Sequence, residues 1–212
     1  MCIRDRNGVA KVTMIGKVTK EILFKGLKFP DWRAIKLLAK LRNRKDDTIM
    51  LAIVEELAKD GLEVVDQTLY LKPLMPSCGV LSRRKPTASE EDDIRFGFVT
   101  AKAMGGMDIG QTVVVKHTAV MAVEAIEGTD ACIRRGGALG REKSVVVKVA
   151  KPNQDPRFDV PAVGKQTILS MIESHCNVLA MEAGRTLFVE QDEVLDLANR
   201  HDICICAVDK NF

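Results

Sequence analysis

Aromatic residues make up only 4% of this 212-residue chain, with one Trp and one Tyr. A surface that grips nucleic acid by base stacking needs exposed rings, so that class is excluded. The net charge of +3 is too small to imply a polyanionic partner. Motifs are missing too: there is no P-loop, no HExxH and no GxSxG. Gly105-Gly106 is too short a glycine run to cradle phosphate. No apolar run approaches the roughly 18 residues of a membrane-crossing helix, and no signal peptide is evident. The six cysteines show no CxxC spacing, and a chain that is 46% hydrophobic does not need a disulfide framework. They read as reduced and mostly buried, in a cytosolic protein. Cys204 and Cys206 alternate in an apolar run and should share one strand face. His117, His175 and His201 have no metal-ligand spacing and read as surface or capping residues.

What is present is an aliphatic α/β pattern. Residues 9–15 (VAKVTMI) read as a strand, closed by Gly16-Lys17. Residues 31–42 carry Trp32, Ile35, Leu38 and Leu41 at helical spacing, with Asp31 as N-cap. A second helix, 48–60, is capped by Asp46 or Asp47 and stopped by Gly61, and 62–65 reads as a strand. This β-α-α-β order predicts a parallel α/β unit. Residues 72–85 read as a linker, and the boundary is expected near residue 80. Pro86-Thr87 opens a helix with acids in its first turns and an apolar stripe of Ile94, Phe98, Ala101 and Met104. Then come a predicted hairpin (112–116 and 119–125, turning at 116–118) and a short helical stretch over 131–135. A strand over 145–149, a helix over 165–175, strands over 178–181 and 187–190, a helix over 192–200 and a strand over 203–208 complete the pattern. The expected fold class is α/β, with a mixed α/β domain over 81–212 after a smaller one over 1–80.

Four polar segments sit at predicted strand ends: 108–111 (DIGQ), 124–130 (EAIEGTD), 148–159 and 182–186 (EAGRT). The third lies in KVAKPNQDPRFDVP (148–161), where Pro152, Pro156 and Pro161 break regular structure. Ligand sites of α/β sheets gather at strand ends. If the segments meet, Glu124, Glu127, Asp130, Asp155, Asp159 and Glu182 lie near Lys148, Lys151, Arg157 and Arg185. Carboxylates suit a hard cation such as Mg²⁺, and the cations suit phosphate oxygens. Helix capping, a plain turn and solvated charges are the bland readings of the same segments. Composition and spacing alone therefore stop at an α/β protein with a metal-phosphate site.

Several stretches in order carry more. DIGQTVVVK (108–116), AVEAIEGTDACIRR (122–135), VVVKVAKPNQDPRFDVPAVG (145–164) and AMEAGRTLFVE (180–190) resemble the UDP-2,3-diacylglucosamine pyrophosphatases of the LpxI type, as does LSRRKPTASEEDDIRFG (81–97). MIGKV (14–18) and KDDTIM (45–50) are similar to the later part of that family's N-terminal domain. The resemblance implies a Rossmann-like domain for the uridine nucleotide, partial here, before a domain for the lipid-phosphate half and Mg²⁺. It implies hydrolysis of UDP-2,3-diacylglucosamine to UMP and 2,3-diacylglucosamine 1-phosphate, on the route to lipid A. The implied catalytic carboxylates are Asp159 and Asp155. The implied metal set is these two with Glu127, Asp130 and Glu124. Lys148, Lys151, Arg157, Arg185 and Thr129 are expected on the substrate, with Gly16, Lys17, Asp46 and Asp47 on the nucleotide side. The expected partner is a UDP-linked diacylated glucosamine, not nucleic acid. The expected location is cytoplasmic, at most peripheral to the inner membrane, with homo-oligomerisation left open. The start, MCIRDRN, replaces the family's opening strand and glycine loop, so the chain is expected to be an N-terminally truncated member. Two alternatives stay open: a non-catalytic phospholigand-binding module, and a metal-dependent phosphohydrolase of another nucleotide diphosphate.

Overall fold

The computed structural model describes residues 6–15, 32–39, 41 and 46–212. The chain forms two compact units. One comprises residues 1–69 with 155–159, and the other residues 70–154 and 160–212.

In the first unit, β1 (Lys11–Val12) pairs in parallel with β2 (Glu63–Val64). Between them lie α1 (Trp32–Ala39) and α2 (Asp46–Lys59). The predicted β-α-α-β order is thus present, with shorter strands than expected. Gly61, at φ 73, ends α2 in the left-handed conformation that glycine adopts without penalty. Arg33 ties the helices together, donating to Glu56 and Asp60. Of the expected apolar stripe of α1, Trp32 and Ile35 are exposed.

The second unit opens with β3 (Gly79–Val80) inside the expected linker. It continues with α3 (Ala88–Gly106), β4 (Thr112–Lys116), β5 (Ala119–Val123), α4 (Thr129–Gly140) and β6 (Ser144–Lys148). Then follow β7 (Ala162–Val163), α5 (Lys165–Glu173), β8 (Cys176–Glu182), β9 (Leu187–Phe188), α6 (Gln191–Arg200) and β10 (Cys204–Val208). Six strands form one mixed sheet in the order β3-β10-β8-β6-β4-β5. β6, β8 and β10 run parallel, while β4, β5 and β3 are antiparallel to their neighbours. Because β3 pairs with β10, the units divide upstream of residue 80, between Leu69 and Tyr70. The turn after β8 is not a hairpin: β9 leaves the large sheet and pairs in parallel with β7.

Both faces of the sheet are covered, which explains the unbroken apolar run Val145-Val146-Val147 in β6. On one face Val113, Val115, Val145, Val147, Cys204 and Cys206 pack under Ile94, Phe98 and Ala101 of α3. On the other, Val114, Val146, Leu179 and Ile205 pack under α4, α5 and α6. Cys204 and Cys206 do share a face, and Ile205 lies on the opposite one. Helix α4 approaches closely through glycine, for a Cβ on Gly136 would lie 2.5 Å from a Val114 side-chain carbon.

Two local devices set α3 and the hairpin. Thr87 caps α3 in a capping box with Glu90. The hairpin turn holds two non-glycine residues at positive φ, His117 and Thr118, and both backbone N–H groups donate to the Asp93 carboxylate of α3. No helix among the described residues is long and apolar enough to cross a membrane.

Candidate active site at the carboxyl edge of the large sheet

Parallel strands β6, β8 and β10 present their C-terminal ends to one edge of the sheet. Strand β4, antiparallel to β6, starts there, with Thr112 opposite Lys148. Strand β5, antiparallel to β4, ends there. The edge therefore gathers the segments 108–111, 124–130, 148–154 and 182–186. Three connected clusters of side chains follow along it.

The first centres on Lys148, the last residue of β6. Its Nζ donates to Thr129 Oγ1 at 3.1 Å and to the Ala162 carbonyl at 2.9 Å. Thr129, at the start of α4, donates on to Glu124 Oε1 at 2.9 Å. Glu124 Oε2 accepts from the Gln111 N–H at 3.3 Å. The second centres on Lys151, whose Nζ reaches Asp108 Oδ1 at 2.8 Å. Lys148 and Lys151 are both only 9% exposed. The third centres on Glu182, the last residue of β8. Both of its oxygens accept from Lys102 Nζ of α3 at 3.0 Å, and Oε2 accepts from the Ala150 N–H at 2.8 Å. Arg185 lies 3.8 Å from Glu182 and donates to the Lys151 carbonyl at 3.3 Å. A lysine seldom leaves water without partners, so these clusters are the condition for two lysines at this depth.

The expected acids divide differently. Glu127 pairs with Arg135, which also donates to the Val123 carbonyl at 2.8 Å. Burial raises the Glu127 pKa, but its backbone hydrogen bonds and Arg135 outweigh that and bring it below the ordinary value. Asp130 lies half-buried in the first turn of α4, where the helix dipole favours a carboxylate.

Asp155, Arg157 and Asp159 belong to the strip counted with the first unit. Within that strip Arg157 grips Asp155 with its guanidinium (Nη2 to Oδ2 2.6 Å, Nε to Oδ1 2.9 Å) and its backbone N–H (3.0 Å). These hydrogen bonds hold the Asp155 carboxyl below its usual range, against some burial. The Asp159 N–H donates to the Asp155 carbonyl at 3.0 Å, and the Gln67 N–H to the Pro156 carbonyl at 3.2 Å. Asp159 is half-buried.

Gly16 and Lys17 lie outside the described residues. Asp46 and Asp47 open α2, where capping residues were expected, but their side chains lie outside the description.

Among the described residues no group of three or more His, Cys, Asp or Glu side chains is arranged as a metal cage. Glu124, Glu127 and Asp155 already accept hydrogen bonds from nearby donors. A Mg²⁺ ion does not require such a cage, since it commonly takes one or two carboxylates, water and substrate phosphates. Asp155 and Asp159, on one turn, are the carboxylates that such a sparser mode would use, with Arg157 then giving up its hold on Asp155. Lys102 and Arg135 were not named as site residues in the sequence, and Asp108 only as part of the DIGQ segment. For Lys102 the available signal was a cation beside the buried stripe of Phe98 and Ala101.

A two-faced α/β sheet with two buried lysines at its carboxyl edge defines the class as an α/β protein with a charged strand-end site. The comparisons give the particular family. The LpxI C-terminal domain model matches residues 77–206, and the LpxI N-terminal domain model matches residues 3–74. The UDP-2,3-diacylglucosamine pyrophosphatase LpxI of Caulobacter vibrioides is 31% identical over 191 residues, covering 85% of this chain and 68% of that protein. The chain belongs to the LpxI family.

Proposed function

We propose that this chain hydrolyses the pyrophosphate bond of UDP-2,3-diacylglucosamine, releasing UMP and 2,3-diacylglucosamine 1-phosphate for lipid A synthesis. Family membership supports the reaction class. The observation that carries the site is the pair of lysines, Lys148 and Lys151, held almost out of solvent at the carboxyl edge. An ammonium at low exposure attracts a phosphate oxygen more strongly than one in water does. Lys148, Lys151 and Arg185 contact the non-bridging oxygens of the diphosphate. Thr129 orients Lys148 through their 3.1 Å hydrogen bond. Asp159 is the carboxylate assigned the role of general base, and Asp155, paired with Arg157, shapes its turn. Asp159 and Asp155 would be the carboxylates to hold Mg²⁺, which when bound would neutralise charge that builds on the leaving phosphate. The reaction takes place in the cytoplasm, with peripheral contact to the membrane that holds the acyl chains.

The test is UMP release from UDP-2,3-diacylglucosamine with Mg²⁺, by this chain and by its Asp159→Ala variant. Release by the former, falling on the order of a hundredfold or more in the latter, is the expected result for loss of a general base. No release by the unaltered chain refutes the reading. Undiminished release by the variant moves the base elsewhere.

A further inference from the structure

The backbone of Ala150 is held on both sides of its Cα. Its N–H donates to Glu182 Oε2 at 2.8 Å, and its carbonyl accepts from Lys102 Nζ at 2.8 Å. Lys102 and Glu182 are themselves joined by two contacts of 3.0 Å. Three elements thus meet on one residue of the loop that follows β6: α3 through Lys102, β8 through Glu182, and the loop itself. The next residue is fastened as well. The Lys151 carbonyl accepts from Arg185, and its N–H donates to Gln154 Oε1 at 2.9 Å. Helix α3 also offers the loop a flat seat, because a Cβ on Gly105 would stand 3.3 Å from the Lys151 Cα.

The Lys102 and Glu182 side chains are only 23% and 9% exposed. A part-buried ion pair adds little net stability, because desolvation offsets most of its attraction. Its distinctive product here is geometric. The peptide plane that joins Ala150 to Lys151 is gripped at its carbonyl by Lys102 and at its N–H by Gln154, and the preceding plane is gripped at its N–H by Glu182, so neither plane turns freely and the Cα of Lys151 is held in one place.

We propose that Lys102 and Glu182 are positioning residues that clamp the backbone on either side of the Ala150 Cα and so aim Lys151 at the substrate diphosphate. This rests on the pyrophosphatase reading above. Neither side chain needs to touch substrate.

The experiment uses this chain, with Lys102→Met, Lys102→Arg and Glu182→Gln. Backbone hydrogen exchange at residues 150–154 is read first, without substrate. Lys102→Met is expected to speed it on the order of tenfold while leaving β4 and α4 unchanged. Binding of inorganic pyrophosphate with Mg²⁺, measured by calorimetry, should weaken in step. In turnover, kcat/KM should fall on the order of tenfold to a hundredfold, through both a higher KM and a lower kcat, because a misplaced Lys151 loses contact with the diphosphate in the bound substrate and in the transition state. Lys102→Arg, which keeps a donor for both acceptors, should recover most of the loss. Unchanged exchange at 150–154 overturns the clamp whatever the activity. So does faster exchange with unchanged pyrophosphate binding and unchanged kcat. If Lys102→Met fails to fold, Glu182→Gln is judged by the same readouts. If the unaltered chain releases no UMP, the pyrophosphatase reading falls, and the exchange and pyrophosphate arms still decide the clamp.

Discussion

Removing the Glu90 carboxylate is expected to unfasten the second unit at the junction of three elements. Its oxygens accept from Arg84 Nη2 at 2.6 Å, from Asn177 Nδ2 of β8 at 2.8 Å and from the Thr87 N–H at 2.8 Å. The side chain is 11% exposed and that of Arg84 19%. Breaking a buried pair by deleting one partner costs about 3–5 kcal/mol. Arg84 keeps Asp202 at 3.6 Å, an exposed neighbour that softens the loss to about 2 kcal/mol. Leaving the Thr87 N–H and the Asn177 amide without their acceptor adds about 1–2 kcal/mol. Glu90→Ala should therefore lose about 3–4 kcal/mol, or about 6–16 °C in Tm at this chain length. Urea unfolding followed by circular dichroism measures it. Glu90→Gln, which keeps an acceptor but no charge, should lose about half as much. The pH dependence supplies a second check. Burial raises the Glu90 pKa, but Arg84 and the Thr87 N–H outweigh it, so the folded-state value is lowered. A lowered carboxyl contributes stability that is present above its unfolded pKa and lost as pH falls through its folded one. The gap between the chain and Glu90→Gln should thus be full at neutral pH and close below about pH 4. A loss under about 1 kcal/mol for Glu90→Ala, or a gap that persists in acid, refutes this account of the junction.

Other perturbations have equally definite outcomes. Gly136→Ala places its new carbon 2.5–2.8 Å from three side-chain carbons of Val114, so overpacking should cost about 1–3 kcal/mol in urea unfolding. Burial pushes the Cys132 thiol up to about 12, and Cys176, Cys204 and Cys206 are buried too. Of the described cysteines only the exposed Cys78 should react with a thiol reagent in the native protein, the others following after denaturation. Asp155→Asn leaves Arg157 without its charged partner, and UMP release should fall as the 155–159 turn loosens, with recovery by Asp155→Glu smaller than complete.

Much of the fold was legible because local signals agreed with each other. The opening at Pro86-Thr87 with its acidic first turns and the stop at Gly61 mark helix ends that the structure keeps. The run Val145-Val146-Val147 marks a strand covered on both faces. Strand β3 escaped notice since a two-residue strand rich in neighbouring proline carries no periodic signal. Helix α4 was read as far shorter than it is, because Gly136, Gly137 and Gly140 look like breakers. They are tolerated there since tight packing on Val114, Ser174 and Ser144 leaves no room for a side chain.

The sequence by itself determined the α/β class, the aliphatic core and the set of polar strand-end segments, since these follow from composition and short-range periodicity. The motif series alone pointed to the LpxI family. Only the tertiary structure decided strand order, and with it which charges meet. Pairing of β4 with β6 and of β6 with β8 brings Thr112, Lys148 and Met181 side by side. That same pairing joins Lys151 to Asp108 and sets Glu182 between Lys102 and Ala150. Contacts between residues far apart in the chain depend on sheet register, which no local pattern encodes.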